Sequence, residues 1–158
     1  MEISDLDSVV RIEDLSFPNP WTRDQFLTEL QRGPVSHCHV AVMDDSKDTE
    51  TGNDHPSGTG PIKGFIMAWL VADELHITNL AVAPQMRRCG IAAALLEESV
   101  RRGARAGAVW CQLEVRASNS PARELYKRLG FKPLGKRKGY YCNGEDAVVM
   151  GRELTTGV

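Results

Sequence analysis

Long apolar runs are missing from this chain. The longest, Phe65 to Ala72, is far too short to cross a bilayer, which excludes a membrane-spanning helix. MEISDLDSVV, an acidic stretch with neither a basic segment nor an apolar run, is not expected to act as a secretory signal. Cysteine is sparse and scattered: Cys38, Cys89, Cys111 and Cys142 form no CxxC and no cluster with histidine. That pattern argues against a zinc site and predicts a reduced, cytoplasmic setting. No charge sign dominates, with 19 basic against 21 acidic side chains and a net charge of -2. Basic pairs do occur (Arg87-Arg88, Arg101-Arg102, Lys136-Arg137-Lys138), yet the overall balance and the few aromatics beside them exclude nucleic-acid binding as the main task. From Asp44 to Gly60 there is no aliphatic or aromatic residue at all. This stretch reads as a flexible hairpin loop inside one domain, because strand-like sequence resumes at once.

What remains is the composition of an ordinary globular domain: 158 residues, 42% hydrophobic and 25% charged, predicting a single domain over 1–158. Asp5 to Leu15 carries a helical apolar stripe, broken by Phe17-Pro18-Asn19-Pro20. Thr22 with Gln25 forms a capping box for a second helix, which Gly33-Pro34 stops. Strands are predicted over Ser36 to Met43, Ile62 to Val71, Glu74 to Val82 and Val109 to Val115. A closing pair of strands is predicted over Lys132 to Lys136 and Ala147 to Glu153. Helices are predicted from Ile91 and from Ser120-Pro121, the latter with Ser as cap and ending at Gly130. The order predicts an α/β fold, a mixed sheet with helices on its faces.

The stretch QMRRCGIAAALLEESVRRG, Gln85 to Gly103, is an amphipathic helix with an unusual start. Unpaired backbone N–H groups and the helix dipole favour an anion at such an end. Gly90 lets the backbone approach closely, Ala92, Ala93 and Ala94 keep bulk away, and Arg87 and Arg88 add charge. No Gly-Lys-Ser/Thr follows, so it is not a Walker loop, and no glycine pair makes it GxGxxG. From spacing alone, a phosphate cradle and a plain helix start with solvated arginines both stand.

The strand-turn-helix LEVRASNSPARELYKRLGF (Leu113 to Phe131), taken with NLAVAPQMRRCGIA (Asn79 to Ala92), resembles the GNAT superfamily of acetyl-CoA-dependent N-acetyltransferases. Pro20-Trp21, LEVRASN, LYKRLGF and YYCNGEDAVVM (Tyr140 to Met150) together resemble its ribosomal-protein alanine N-acetyltransferases, the RimI-like family. The resemblance implies the GNAT fold, a mixed, mostly antiparallel sheet whose central strands, here 74–82 and 109–115, splay to admit acetyl-CoA. The usual first strand of that fold is absent here or reduced to Met1–Ile3.

The resemblance also implies roles. Arg87, Gly90 and Ala92 fit the pyrophosphate-gripping pattern, with backbone N–H groups from Arg88 through Cys89, Ile91 and Ala93 forming the cradle. Cys89 replaces a more usual polar residue, so its backbone carries that role. Leu80, Ala81 and Val82 end a bulged strand that pairs with the pantetheine arm and donates to the acetyl carbonyl. Asn119 hydrogen-bonds the same arm, or serves as a turn or cap residue. Glu114 is the general base and Tyr126 the general acid. Without the resemblance, Glu114 pairing with Arg116 and Tyr126 packing in the core are the plain readings. Phe17 and Trp21 form one wall of the acceptor groove, Tyr140 and Tyr141 the other; aromatic plugs on the core edge are the alternative. Glu145-Asp146 either attracts the acceptor amine or caps the turn, and His76 lies near the same face. His37 and His39 alternate along a strand without a third ligand, so no metal is expected and both read as solvent-facing.

These readings predict a monomeric or weakly dimeric enzyme that acetylates a protein N-terminus by direct attack in a ternary complex. The implied acceptor is a ribosomal protein beginning with alanine. Acetylation of lysine or of a small-molecule amine, and a coenzyme A-binding module without turnover, are the rivals.

Overall fold

The computed structural model describes residues 1–42 and 60–154; the loop expected over 44–60 lies, apart from Gly60, outside them. The chain begins with a 3-10 turn at Ile3–Asp5, where the shortened strand was sought, and runs directly into α1 (Leu6–Asp14). Helix α2 (Arg23–Gln31) starts at Thr22, whose side chain accepts from the Gln25 N–H while Gln25 answers to the Thr22 N–H. That reciprocal box is the one its sequence predicts. The strands are β1 (Ser36–Val42), β2 (Ile62–Val71), β3 (Glu74–Val82), β4 (Trp110–Arg116), β5 (Lys132–Arg137) and β6 (Ala147–Glu153). Helix α3 (Ile91–Arg105) connects β3 to β4, and α4 (Ser120–Arg128) connects β4 to β5. Its cap is Asn119, whose side chain accepts from the Ala122 N–H, one residue earlier than the expected Ser120.

The strands form one sheet in the order β1-β2-β3-β4-β6-β5, antiparallel except for the central β3–β4 pair. Strand alternation gives each face its own core. Ile66, Ala68, Leu75, Ile77, Leu113, Val115, Val148 and Met150 face α3 and α4, whose Leu95, Leu96, Val100 and Tyr126 pack on them. Phe65, Met67 and Ala81 face the other way, under Leu6, Val9 and Ile12 of α1 and Phe26 of α2. Burying each of the Leu, Ile, Val, Met and Phe side chains among these contributes about 1.5–3 kcal/mol. A second anchor is polar: buried Glu29 accepts from the indole N–H of Trp69 at 2.7 Å and pairs with Arg32 at 2.9 Å, fastening α2 to β2.

Two irregularities place the cleft. The β2–β3 register shifts between Met67 and Ala68, leaving Thr78 as an extra residue in β3. Its hydroxyl donates to the Met67 carbonyl at 3.2 Å. The bulge reverses the alternation, so that Ile77 faces α3 whereas Asn79 and Ala81 face α1 and α2. The β3–β4 ladder, in turn, runs only from Glu74↔Trp110 to Ile77↔Leu113. Beyond that pair the strands part.

Candidate active site

The fork where β3 leaves β4 is flanked by the next residue of each strand, the bulged Thr78 on one side and Glu114 on the other. Both strands run toward the same end, and both following helices start there, so the N-termini of α3 and α4 face the mouth of the fork. At α3 the first helical bond runs from the Ala94 N–H to the Gly90 carbonyl, and no side chain caps the turn. The N–H groups of Ile91, Ala92 and Ala93 therefore have no acceptor within the helix. Gly90 sits at φ 82, a left-handed conformation that a side chain disfavours, and nothing lies within 4 Å of where its Cβ would be. Arg88 is left-handed too, at φ 63. An open, uncapped, positively poled helix tip of this kind suits a diphosphate. Gly64 on β2 is what lets the tip sit so close to the sheet: a Cβ there would meet the Ala81 carbonyl oxygen at 2.9 Å and Ile91 at 3.3 Å.

Glu114 alternates with buried Leu113 and Val115, so its carboxylate lies on the α1/α2 side of the sheet. It does not pair with Arg116. Its Oε1 lies 3.2 Å from the guanidinium of Arg137, which reaches across from the end of β5. Arg116 instead pairs with Glu145 at 3.0 Å and stacks on Tyr141 at 3.9 Å. Tyr126 belongs to the opposite face, packed in the α3/α4 core with its ring 6.1 Å from that of Phe131. Burial, with the neighbouring Tyr141 adding to it, pushes its phenol up to about 12, so it stays protonated across the neutral range. The base and acid candidates thus stand on opposite faces of the sheet, with the fork between them.

Proteins of known kind share this arrangement. Residues 6–131 match the pattern of the acetyltransferase (GNAT) family. The chain belongs to the GNAT family. A Bacillus subtilis protein with the provisional name [ribosomal protein bS18]-alanine N-acetyltransferase is 38% identical over 95% of this chain and 90% of its own length. The crystal structure of the Escherichia coli ribosomal-protein-S18-alanine N-acetyltransferase superposes with a TM-score of 0.81 at 28% identity, covering 100% of this chain and 93% of that one. Arabidopsis thaliana NAA60, solved in complex with acetyl-CoA, superposes at 0.78 with 26% identity over 96% of this chain and 94% of its own. The GNAT fold, the acetyl-CoA-dependent N-acetyltransferase class and acetyl-CoA as co-substrate, all anticipated from the sequence, hold. Uncapped α3 and the open fork fit that co-substrate: the first suits its pyrophosphate, the second its thioester arm.

Other anticipated residues of this GNAT site fall as follows. Leu80, Ala81 and Val82 line the β3 side beyond the fork, although the bulge is earlier, at Thr78. The Arg87 side chain turns away from the helix tip, its Nε donating to the Val82 carbonyl and its Nη2 to the Ser16 hydroxyl, each at 3.3 Å. It ties the strand end to the α1–α2 loop. Cys89 is exposed, its thiol directed at the Arg87 carbonyl. Asn119 spends its carbonyl oxygen on the α4 cap. Phe17 and Trp21 pack on the rim of the α1/α2 core, and Tyr140 and Tyr141 meet edge to face at 5.2 Å in the loop between β5 and β6. Glu145 caps rather than waits for a substrate: it accepts from the Ser118 N–H at 2.9 Å and from its hydroxyl at 2.6 Å, and with Arg116 these hold its carboxyl down to about 2. Asp146 accepts from the Gly139 N–H at 3.0 Å. His76 is held between Gln112 and Glu74 at 2.9 and 3.0 Å.

The histidines of β1 correct an expectation. His37 and His39 turn toward α3, not toward solvent, because they pair with Ala68 and Ile66 of the α3-facing core. The Nε2 atoms of both are buried without a partner among the described residues, and burial, then nearby Arg102, holds His39 down to about 4. Among the described residues no group of three or more His, Cys, Asp or Glu is placed to hold a metal.

Glu13 was not anticipated. It is only 1% exposed, and its two oxygens accept from the Trp21 N–H and the Asn79 amide, each at 3.0 Å. Burial pushes its carboxyl above the ordinary range, against those two hydrogen bonds. The signal was available: Leu6, Val9 and Glu13 stand at i, i+3 and i+7, so a carboxylate occupies the apolar stripe.

Proposed function

We propose that this chain acetylates the α-amine of a protein N-terminus, with a ribosomal protein beginning with alanine as the first acceptor to test. The parting of β3 from β4 at Ile77↔Leu113, with Glu114 as the next residue on β4, carries the reading. A thioester lying in the fork has an amine-accessible side toward α1 and α2 and a leaving-group side toward α4.

On the amine side, Glu114 takes the proton of the attacking nitrogen, directly or through one water. An α-amine, with a pKa of roughly 7.7–8.0, needs less help than a lysine at about 10.4. As the nitrogen lone pair bonds to the acetyl carbon, negative charge moves to the carbonyl oxygen, and fixed N–H groups of β3 beyond Thr78 stabilise it. The C–S bond then breaks, and Tyr126 supplies a proton to the departing thiolate from the opposite face. Asn119, whose amide N–H₂ has no acceptor among the described residues, aligns the arm; the N–H groups of Arg88, Ile91, Ala92 and Ala93 hold the pyrophosphate. Transfer is direct. Cys111 is fully buried and its thiol is pushed up to about 12, and Cys142 is exposed on the loop before β6, so neither suits an acetylated intermediate. Phe17 and Trp21 form one acceptor wall and Tyr140 and Tyr141 the other. The four unpaired cysteines fit the cytoplasm, and the chain acts as one domain.

The bS18-alanine names of the Bacillus and Escherichia relatives support the alanine acceptor. Mass spectrometry of short peptides incubated with labelled acetyl-CoA tests it. Label is expected on peptides with a free N-terminal alanine and none on the same peptides with a blocked N-terminus; label on internal lysine of blocked peptides contradicts the proposal.

A further inference from the structure

Among the described residues Glu13 is the most deeply buried carboxylate, and the transfer chemistry assigns it no part. A buried carboxylate is unfavourable unless its oxygens are well satisfied, and an aliphatic side chain would fill the same space in α1 without that cost. Its contacts span the site. Oε1 accepts from the backbone N–H of Trp21, and its own carbonyl accepts from the N–H of Phe17 at 3.0 Å, so both aromatics of the α1–α2 loop hang on this one residue. Oε2 accepts from Nδ2 of Asn79, the residue after the Thr78 bulge, which faces α1 only because the bulge reverses the strand's alternation.

We propose that Glu13 is a positioning residue for acetyl transfer, locking the acceptor-side loop to the bulged strand so that amine and acetyl carbonyl meet at a fixed separation. The assignment of the loop as the acceptor wall is taken from the function proposed above. An ionised carboxylate is suited to the task because it offers two acceptor oxygens and no donor. Glutamine keeps the shape but sets its NH₂ against either the Trp21 N–H or the Asn79 amide, two donors facing each other. Exchanging the groups repairs this: in a Glu13→Gln/Asn79→Asp double variant, the amide oxygen at 13 accepts from Trp21 and its NH₂ donates to the carboxylate at 79.

The experiment measures kcat, both KM values and melting temperature of the full chain, with acetyl-CoA and whichever amine the wild type acetylates. Glu13→Gln is expected to lower kcat about tenfold or more, in line with the sensitivity of transfer to displacements near 1 Å. The acceptor KM rises and the acetyl-CoA KM stays within about twofold, since the α3 tip is untouched. Asn79→Asp alone, which faces two carboxylates, is also impaired, and the double variant recovers kcat to within about threefold of wild type. Wild-type kcat in folded Glu13→Gln, or a folded double variant no faster than the single ones, overturns the proposal. Should a single variant fail to fold, the double variant alone decides by its kcat. A wild type that prefers lysine overturns the function proposed above and leaves this test standing, because the acceptor used is the enzyme's own.

Discussion

At the scale of single residues, the site depends on which partner each charged side chain finds. Glu114 and Arg116 share a strand face, two residues apart, and the sequence offers them to each other. The structure separates them, giving Glu114 to Arg137 and Arg116 to Glu145. Those partners come from β5 and the loop before β6, which no local pattern in the chain connects to β4. A phenol pushed up to about 12 remains a proton donor throughout the neutral range, so Tyr126→Phe is expected to slow transfer by about tenfold to a hundredfold with coenzyme A affinity unchanged, read by steady-state kinetics beside calorimetric titration. Glu145 makes a pH-dependent contribution of opposite origin. Its carboxyl lies at about 2 against an ordinary 4.5, so the anchoring it gives the loop before β6 is complete above 4.5 and is lost as pH falls through that interval. The melting temperature of Glu145→Gln is therefore expected to depend less steeply on pH between 4.5 and 2 than that of the wild type.

At the scale of elements, the tip of α3 was the most legible part of the site. A glycine before three alanines, preceded by two arginines, announced an uncapped helix start, and Gly90 at φ 82 with open space at its Cβ is that start. Gly90→Val confers a side chain on a left-handed residue, at a cost of about 1–2 kcal/mol that falls on the cradle. Acetyl-CoA affinity is expected to drop about tenfold by titration while the fold survives. Gly64→Ala strikes the same element from below, since the new methyl meets the Ala81 carbonyl oxygen. It is expected to lower the melting temperature as well as the affinity, the combination that distinguishes it from Gly90→Val. The side chain of Arg87 was less legible. Its charge suggested the phosphate, but the carbonyl of Val82 and the hydroxyl of Ser16 lie within its reach and hold it.

At the scale of the molecule, the sheet divides into a β1–β3 half covered by α1 and α2 and a β4–β6–β5 half that contributes Glu114 and its arginine. Among the described residues every strand and α-helix was legible from apolar spacing and turn residues, to within a residue or two at the ends, whereas the short 3-10 turns were not. The splay of the central strands and the bulge were anticipated only through the family resemblance, because pairing that stops and an extra residue at Thr78 leave no mark in a run of ordinary strand residues. Glu13 was legible in principle as a carboxylate on an apolar stripe, but its partners, Trp21 and Asn79, meet it only once α1 lies across β3. The two faces of the sheet give the proposed mechanism its shape: Glu114, the proposed base, lies on one and Tyr126, the proposed acid, on the other, with the fork between them. The most direct test is the single-turnover rate of acetyl transfer in Glu114→Gln at saturating acetyl-CoA. A fall of about a hundredfold or more with unchanged coenzyme A affinity is the predicted result; a wild-type rate in the folded variant contradicts it.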